Sequence, residues 1–168
     1  MRARATIVID RACDQVFDLV ALRLFDTYHL WNTGVVDVRE ASEGPVRAGS
    51  RGVAVQYLKR GKRFREYGRT FEVTRLVESR ELGLRGELSE RTLGAYRTLF
   101  LFDALGARTR ISVDSQAEFA LPFLMIGWPI VQIRFVLELR RNLARLRQAL
   151  EAKTLPSRPR RVVSAGPG

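Results

Sequence analysis

The sequence predicts an α+β domain in which a seven-stranded antiparallel sheet is covered by one long C-terminal helix, with two short helices after the first strand. Three observations favour this fold. The patterns run in the order strand, two short helical segments, six strands and one long helix. Short connections between consecutive strands favour an antiparallel meander. A sheet with one apolar face needs a cover, and only the closing stretch Leu121–Lys153 is long enough to provide it.

The first strand and the short helices are predicted from residue type and turn chemistry. Thr6–Asp10 is a β-branched run that favours a strand. Asp14 and Gln15 supply polar groups where the first helix would begin. A second helical segment near residues 24–30 ends at the stretch Trp31–Gly34.

Six further strands follow Gly34, each marked by alternating side chains or by flanking turn residues. They are predicted at Val35–Glu40, around Val53–Tyr57, and at Arg65–Leu76, Leu82–Leu88, Tyr96–Asp103 and Ile111–Glu118. In the last strand one parity is apolar and the other polar, so that strand is expected to face water on one side.

The closing helix is predicted to start at Pro129, because proline is tolerated in a first helical turn. Apolar residues then recur every three or four positions, which places them on one face. These are Phe135, Leu139, Leu143, Leu146 and Leu150, with Arg134, Arg141, Arg145 and Gln148 opposite. The apolar entrance Leu121–Trp128 is predicted to act as a lid, with Gly127 as its pivot.

The expected organisation is one folded domain, residues 1–153, followed by a disordered basic tail, residues 154–168. A single cysteine, Cys13, excludes an intramolecular disulfide framework and fits a reducing compartment. Asp10 comes too early for the apolar core of a signal peptide. The apolar run Phe119–Leu139 holds two prolines and charged residues, so it is not expected to span a membrane. A cytoplasmic location is predicted, and peripheral contact with a membrane stays open.

A strong positive charge is the main compositional feature. The net charge is +11 and the isoelectric point is near 11.0, which makes nucleic acid, anionic lipid and acidic proteins candidate partners. Only three of the cationic residues are lysines, namely Lys59, Lys62 and Lys153. An arginine excess of this kind is what a GC-rich genome produces without any binding role, and that explanation is favoured.

Several stretches resemble the START-like (SRPBCC) superfamily, which includes polyketide cyclases/dehydrases and plant pathogenesis-related lipid binders. The resemblance covers roughly residues 5–152, and the chain is most similar to the polyketide cyclase/dehydrase type. The matching stretches are Ile7–Asp18, Trp31 at the end of the second helix, Gly49–Ser50, Gly106–Thr109 and Leu143–Glu151. Cys13 departs from the usual proline, and the basic tail is extra. The resemblance implies a helix-grip fold, in which a curved sheet wraps around the long helix, with a cavity for an apolar ligand between them.

Large aromatic side chains are the candidate lining of that cavity. The candidates are Phe17, Tyr28, Trp31, Tyr57, Phe71, Tyr96, Phe100, Phe102, Phe119, Phe123 and Trp128. For each of them the alternative is that it simply fills the core. Tyr28, Tyr57 and Tyr96 are favoured for ligand contact, because a buried hydroxyl needs a hydrogen-bond partner.

Catalytic chemistry is less clearly marked. His29 is the single histidine, so it could act as a general base but not in a histidine-based metal cluster. The favoured alternative is a histidine that makes local hydrogen bonds at a helix end. Cys13 stands at a predicted helix N-terminus, which would lower its pKa, although a capping role is favoured. The sequence has no phosphate-binding loop, zinc-ligand spacing or nucleophile elbow, and no cofactor or metal is predicted.

Three functional hypotheses follow. The leading one is a binder or carrier of a small hydrophobic molecule such as a lipid, quinone or polyketide. The second is a cyclase or dehydratase in the same cavity, where His29 or a tyrosine would move a proton. The third is an RNA- or ribosome-associated protein that uses its basic surface, with nucleic acid ranked last among the partners. The basic turn Lys59–Arg65 would serve either nucleic acid or anionic lipid headgroups.

Overall fold

An antiparallel sheet and a long C-terminal helix make up most of the structure. The computed structural model describes residues 1–40, 42–60, 63–89, 94–119 and 128–152. These ranges contain seven strands, three α-helices and one π-helical turn. The elements are β1 (Arg2–Ile9), α1 (Cys13–Phe17), a π-helical turn (Asp18–Leu22), α2 (Leu24–Trp31), β2 (Asp37–Glu40), β3 (Arg51–Arg60), β4 (Arg63–Val77), β5 (Glu81–Ser89), β6 (Gly94–Leu105), β7 (Arg108–Phe119) and α3 (Trp128–Glu151).

The sheet is a meander with its first strand folded back onto its last. Its order is β1-β7-β6-β5-β4-β3-β2, and all neighbouring strands are antiparallel. Ile7 lies opposite Ile111 where β1 pairs with β7. Strands β1 and β2 form the two edges of the sheet, and α3 packs on its inner face. The predicted α+β helix-grip fold is confirmed.

The core lies between the inner face of the sheet and the three helices. Ile9, Val73 and Leu82 are completely buried on the strands. From α3, Leu143 and Leu146 pack into the same cluster. The apolar face predicted for the closing helix is therefore its buried face, as its three-to-four-residue spacing requires.

The two short helices meet at the π-helical turn. Thr27 holds this turn, because its buried hydroxyl donates to the backbone oxygens of Leu19, at 2.6 Å, and Arg23, at 2.9 Å. The N-cap of α1 is Ala12, which makes no side-chain capping bond within the described residues, while Asp14 lies inside the first turn. The helix pair ends at Trp31 and brings its aromatic side chains over the sheet.

Strand β3 turns its small residues inward, contrary to the sequence-based expectation. Gly52 and Ala54 face the core, because the ring of Phe25 from α2 packs directly on Gly52. A Cβ atom at Gly52 would lie 2.7 Å from that ring. Since side chains alternate along a strand, Val53 and Tyr57 fall on the outer face.

Two hydrogen bonds tie the start of α1 to the last elements of the chain. The Thr109 hydroxyl on β7 donates to the backbone oxygen of Arg11 at 2.7 Å. The Arg11 guanidinium in turn donates to the backbone oxygen of Leu150 on α3 at 3.1 Å. Residues 121–127 of the predicted lid Leu121–Trp128, and the predicted tail (154–168), lie outside the described residues.

Candidate functional site

A cavity of about 190 Å³ lies between α2, α3 and the inner face of the sheet. Tyr28 and Trp31 contribute to its wall from α2, and Leu139 and Asn142 contribute from α3. The sheet side is formed by residues of β3 to β7. They are Ala54, Gln56, Arg69, Leu84, Tyr96, Thr98, Phe100 and Ser115. This is the position in which the sequence analysis expected a ligand cavity.

Edge-to-face aromatic contacts build one wall of the cavity. The rings of Tyr28 and Trp31 are 4.7 Å apart at an interplanar angle of 89°. Trp31 in turn meets Phe100 on β6 edge-to-face at 5.8 Å, whereas Tyr28 meets Phe71 on β4 at 5.4 Å in a tilted arrangement, with 32° between the ring planes. Such edge-to-face pairs hold the rings in fixed orientations, so the wall is preformed.

The side chains of Tyr28 and Tyr96 interact with each other, and Tyr28 also interacts with Asn32. Burial raises the pKa of Tyr28, although these interactions and the positive charge of Arg69 act against the rise. Burial, together with Tyr28, raises the pKa of Tyr96 well above its ordinary value. Both phenols are therefore neutral hydrogen-bonding groups at physiological pH.

Two buried N–H groups on the cavity-lining residues are left without acceptors. The indole Nε1 of Trp31 and the guanidinium Nε of Arg69 have no hydrogen-bond partner within the part of the chain that the structure describes. Leaving such a group unpaired costs about 1–3 kcal/mol, and more when it is charged. An acceptor oxygen of a bound molecule would remove that cost.

Three other polar residues of the lining have hydrogen-bond partners. The hydroxyls of Thr98 and Ser115 are 2.8 Å apart. The side-chain oxygen of Asn142 accepts hydrogen bonds from the backbone N–H and the hydroxyl of Thr33, both at 2.9 Å. These last bonds fix α3 against the end of α2, so they hold the two helical sides of the cavity together.

The structure separates the predicted lining residues into four groups. Tyr28, Trp31, Tyr96 and Phe100 line the cavity. Phe17, Phe71 and Phe102 are buried in the adjacent core. Tyr57 is 55% exposed and lies on the outer face of β3, because the inner parity of that strand is Gly52, Ala54 and Gln56. Phe123 lies outside the described residues, as do the side chains of Phe119 and Trp128.

Sequence reasoning missed the polar lining residues, above all Arg69. One signal was available, since Arg69 shares its strand parity with Phe71 and Val73, which are buried. A charged residue on the inner face of a strand is costly unless it has a role. Gln56 and Asn142 carry no comparable signal, because polar residues are common on half-exposed elements.

The two candidate catalytic residues lie apart from the cavity wall. His29 is half-buried in the last turn of α2 and is not among the described residues that line the cavity. Cys13 is half-buried, and its thiol donates to the backbone oxygen of Ser79 at 3.4 Å. Burial raises the pKa of the Cys13 thiol, with the negative charge of Asp14 adding to the effect. The lowering expected at a helix start is therefore outweighed.

Metal ligands, apolar helices and basic loops are the other features that could mark a site. Within the described residues no three acidic, cysteine or histidine side chains come close enough together to hold a metal ion. In the same ranges no helix has the length and apolar character needed to cross a membrane. The predicted basic turn Lys59–Arg65 falls where side chains are not described.

Solved structures of several proteins share this fold. A protein from Thermus thermophilus is 15% identical, with a TM-score of 0.65 over 89% of this chain and 97% of that one. The di-domain ARO/CYC protein BexL, from the BE-7585A biosynthetic pathway, is 16% identical, with a TM-score of 0.70 over 93% of this chain. This chain covers 48% of BexL, about half its length. Ara h 8.0201 is 9% identical, with a TM-score of 0.60 over 87% of this chain and 97% of that one.

These likenesses establish the fold alone. At such low sequence identity, proteins of one architecture can have many different activities. No curated protein matches the chain. The family assignment comes from a match that spans nearly all the described residues, from position 1 to position 151. With its START-like architecture, the chain belongs to the family described as polyketide cyclase / dehydrase and lipid transport.

Proposed function

We propose that the protein binds a compact, mainly apolar molecule that carries an acceptor oxygen, in the cavity between the sheet and α3. The observation that carries this proposal is the pair of unpaired buried donors, Trp31 Nε1 and Arg69 Nε, on residues that line an aromatic cavity. Apolar walls with a few unsatisfied polar groups are typical of small-molecule sites.

The donors select the chemistry of the ligand's polar end. A carbonyl, phenolate or carboxylate oxygen would accept from the indole and from the guanidinium. The bond to Arg69 would be charge-assisted, and such bonds are roughly twice as strong as neutral ones. The rest of the ligand would lie against Phe100 and Leu139. A purely apolar molecule would leave both donors unpaired, so it should bind more weakly.

The cavity volume limits the size of what is enclosed. A cavity of about 150 Å³ holds a benzene molecule, and this one measures about 190 Å³. It therefore suits one small ring system, or the oxygenated end of a longer lipid, quinone or polyketide. Typical ligand pockets of about 300–1,000 Å³ are larger, so a bulkier ligand would need α3 or the segment before it to move.

The hydroxyl pair favours a second candidate, ring closure or dehydration of a polyketide-like substrate. Tyr28 and Tyr96 are held neutral by burial and so can donate to a carbonyl oxygen. Donors aimed at an oxygen that gains negative charge stabilise the enolate-like transition state of such reactions. Because His29 does not line the cavity, the tyrosines are the better candidates for moving a proton.

The binding proposal is tested with a pair of matched probes, 2-naphthoate and 2-methylnaphthalene, measured by calorimetry. We expect the wild type to bind the carboxylate at least about tenfold more tightly, because it pairs with Arg69. Arg69→Met should remove that preference while retaining the apolar probe. Arg97→Met, on the exposed part of β6, controls for the general positive charge. Native mass spectrometry of the gently purified protein would identify any ligand that co-purifies.

Two results would overturn the binding proposal. One is a protein that purifies empty and binds neither probe. The other is an Arg69→Met variant with the wild-type preference for the carboxylate. For the second candidate, a linear poly-β-ketone thioester is incubated with wild type and with Tyr96→Phe, and the products are separated chromatographically. Cyclisation no faster than without protein would exclude catalysis and leave a binder.

A further inference from the structure

The outer face of α3 carries an exposed apolar stripe. Ile130 is 67% exposed, Ile133 59% and Leu137 44%. Their spacing of three and four residues places them on one side of the helix, one above another. The residues that α3 buries, Leu143 and Leu146 among them, lie on the opposite side. We call Ile130, Ile133 and Leu137 the outer stripe.

The outer stripe differs from scattered exposed residues. Single exposed aliphatic side chains are normal on protein surfaces, whereas contiguous ones mark contact sites. Here the three residues follow one another along the first half of α3. The second half of the same face is polar, so the apolar surface is confined to one patch.

Exposed arginines continue the stripe along the helix. Arg134 is four residues after Ile130, and Arg141 is four residues after Leu137, which places both on the stripe's side of α3. Arg140 and Arg145 are also exposed. Within the described residues none of these four arginines forms an ion pair, whereas Arg147 pairs with Glu151 at 3.0 Å. Their charge is thus available to an external anion.

We propose that the outer stripe and these arginines dock the protein onto an anionic lipid surface, with α3 lying parallel to the membrane plane. A helix with exposed aliphatic residues beside unpaired arginines has the composition of interfacial helices. The three aliphatic side chains would enter the acyl boundary, and the arginines would contact the headgroup phosphates. Anionic leaflets attract such positive clusters. The net charge of +11 adds to that attraction.

Charge complementarity favours a membrane over a second copy of the chain. In a two-fold symmetric dimer the same patch lies on both sides of the interface. Arg134 and Arg141 of one copy would then face the same arginines of the other. Three aliphatic side chains are also far fewer than the 20–30 or so residues that each side of a stable interface contributes.

This docking would place the cavity close to the lipid. The inner side of α3 supplies Leu139 and Asn142 to the cavity wall, while its outer side would rest on the membrane. One helix would thus separate the bound molecule from the bilayer. The inference rests on the helix surface alone, so it stands or falls independently of ligand binding.

The test is sedimentation of the full chain with two kinds of vesicle, pure phosphatidylcholine and a mixture with about 30% phosphatidylglycerol. We expect the wild type to bind the anionic vesicles at least about tenfold more strongly. Replacing the stripe by Ile130→Gln, Ile133→Gln and Leu137→Gln should reduce that binding by about tenfold or more. Arg134→Gln with Arg141→Gln should reduce it by several-fold. Both sets lie on the exposed face, so thermal melting should show a folded protein.

The control replaces exposed leucines elsewhere, by Leu22→Gln, Leu101→Gln and Leu105→Gln, which are 45%, 37% and 37% exposed. It should bind vesicles like the wild type. The proposal is overturned if the wild type does not bind anionic vesicles. It is equally overturned if the stripe variant binds them as well as the wild type does, because binding would then belong to other basic segments. It is also overturned if sedimentation velocity shows a wild-type dimer that the stripe variant loses without any change in vesicle binding.

Discussion

Tyr96 on β6 interacts through its side chain with Tyr28 on α2, which links the sheet to the helical side of the cavity. The ring of Tyr96 lies over Gly86, its direct cross-strand partner on β5. A Cβ atom at Gly86 would stand 2.7 Å from two ring atoms and the hydroxyl oxygen of Tyr96. The glycine therefore provides the space in which Tyr96 reaches Tyr28.

The tyrosine pair makes the folded state sensitive to alkali. The raised pKa of Tyr96 means that the folded protein keeps a proton which the unfolded chain loses above about pH 10. Its contribution is thus present below that pH and is lost as the pH rises towards the folded pKa. We expect urea unfolding to show a smaller loss of stability between about pH 9 and pH 11 for Tyr96→Phe than for wild type. Tyr57→Phe, at an exposed site, is the control; equal losses for wild type and Tyr96→Phe would contradict the prediction.

Gly86→Ala is expected to displace Tyr96 while keeping the fold. The added methyl group would meet a side-chain ring that can rotate, not backbone, so the loss of stability should be modest, about 1 kcal/mol. The interaction of Tyr96 with Tyr28 should weaken, and the affinity for 2-naphthoate should change by several-fold. Calorimetry and thermal melting measure the two effects. An unchanged affinity would show that the tyrosine link does not shape the cavity.

Gly52→Ala is expected to be more damaging. Its Cβ atom would lie 2.7 Å from the ring of Phe25 and 2.9 Å from that of Phe71, and both rings are packed in the core. Overpacking of this kind costs about 1–3 kcal/mol. Gly34→Ala is the matched control, because its nearest neighbour would be the flexible end of Gln56 at 3.2 Å. Equal free energies of unfolding for the two variants in urea would show that α2 can move away from the added methyl group at little cost.

The single thiol is expected to react slowly. Burial raises the pKa of Cys13, so little thiolate is present near pH 8, and the half-buried position limits access. With Ellman's reagent, reaction of the folded protein should be at least about tenfold slower than reaction in urea, and it should speed up as the pH rises. A thiol that reacts faster in the folded state would instead indicate an activated nucleophile.

Periodicity predicted the fold because each element repeats its pattern over several residues. The seven strands follow from residue type, alternation or flanking turn residues, and the buried face of α3 follows from helical spacing. The inward-facing residues of β3 could not be predicted from its pattern. Val53 and Tyr57 are larger and more apolar than Gly52 and Ala54, so they were expected to face the core. Gly52 and Ala54 lie on the inner face because the ring of Phe25, on α2, packs against Gly52. The residue pattern of a single strand does not contain that information.

The cavity was predictable in part. Aromatic residues at the end of α2 and on β6 pointed to Tyr28, Trp31, Tyr96 and Phe100. The polar groups that would orient a ligand were not predicted. What marks them is the lack of a hydrogen-bond acceptor in the folded structure, and a sequence does not show this. Strand parity groups Arg69 with Phe71 and Val73, but no sequence pattern shows that its Nε atom is buried without a partner among the described residues. Ring size alone also selected Phe17 and Phe102, although these two pack against each other in the core at 5.3 Å.

The pairing of β1 with β7 has a consequence for how the chain folds. Arg4 and Asp114 are joined by a hydrogen bond of 2.9 Å although they are 110 positions apart. Strand β1 therefore cannot find its neighbour until most of the chain has left the ribosome, and α3 emerges later still. Contacts between such distant segments make folding slow. Until α3 arrives, the apolar inner face of the sheet lacks its cover, and exposed apolar surface of this kind favours association between partly folded chains.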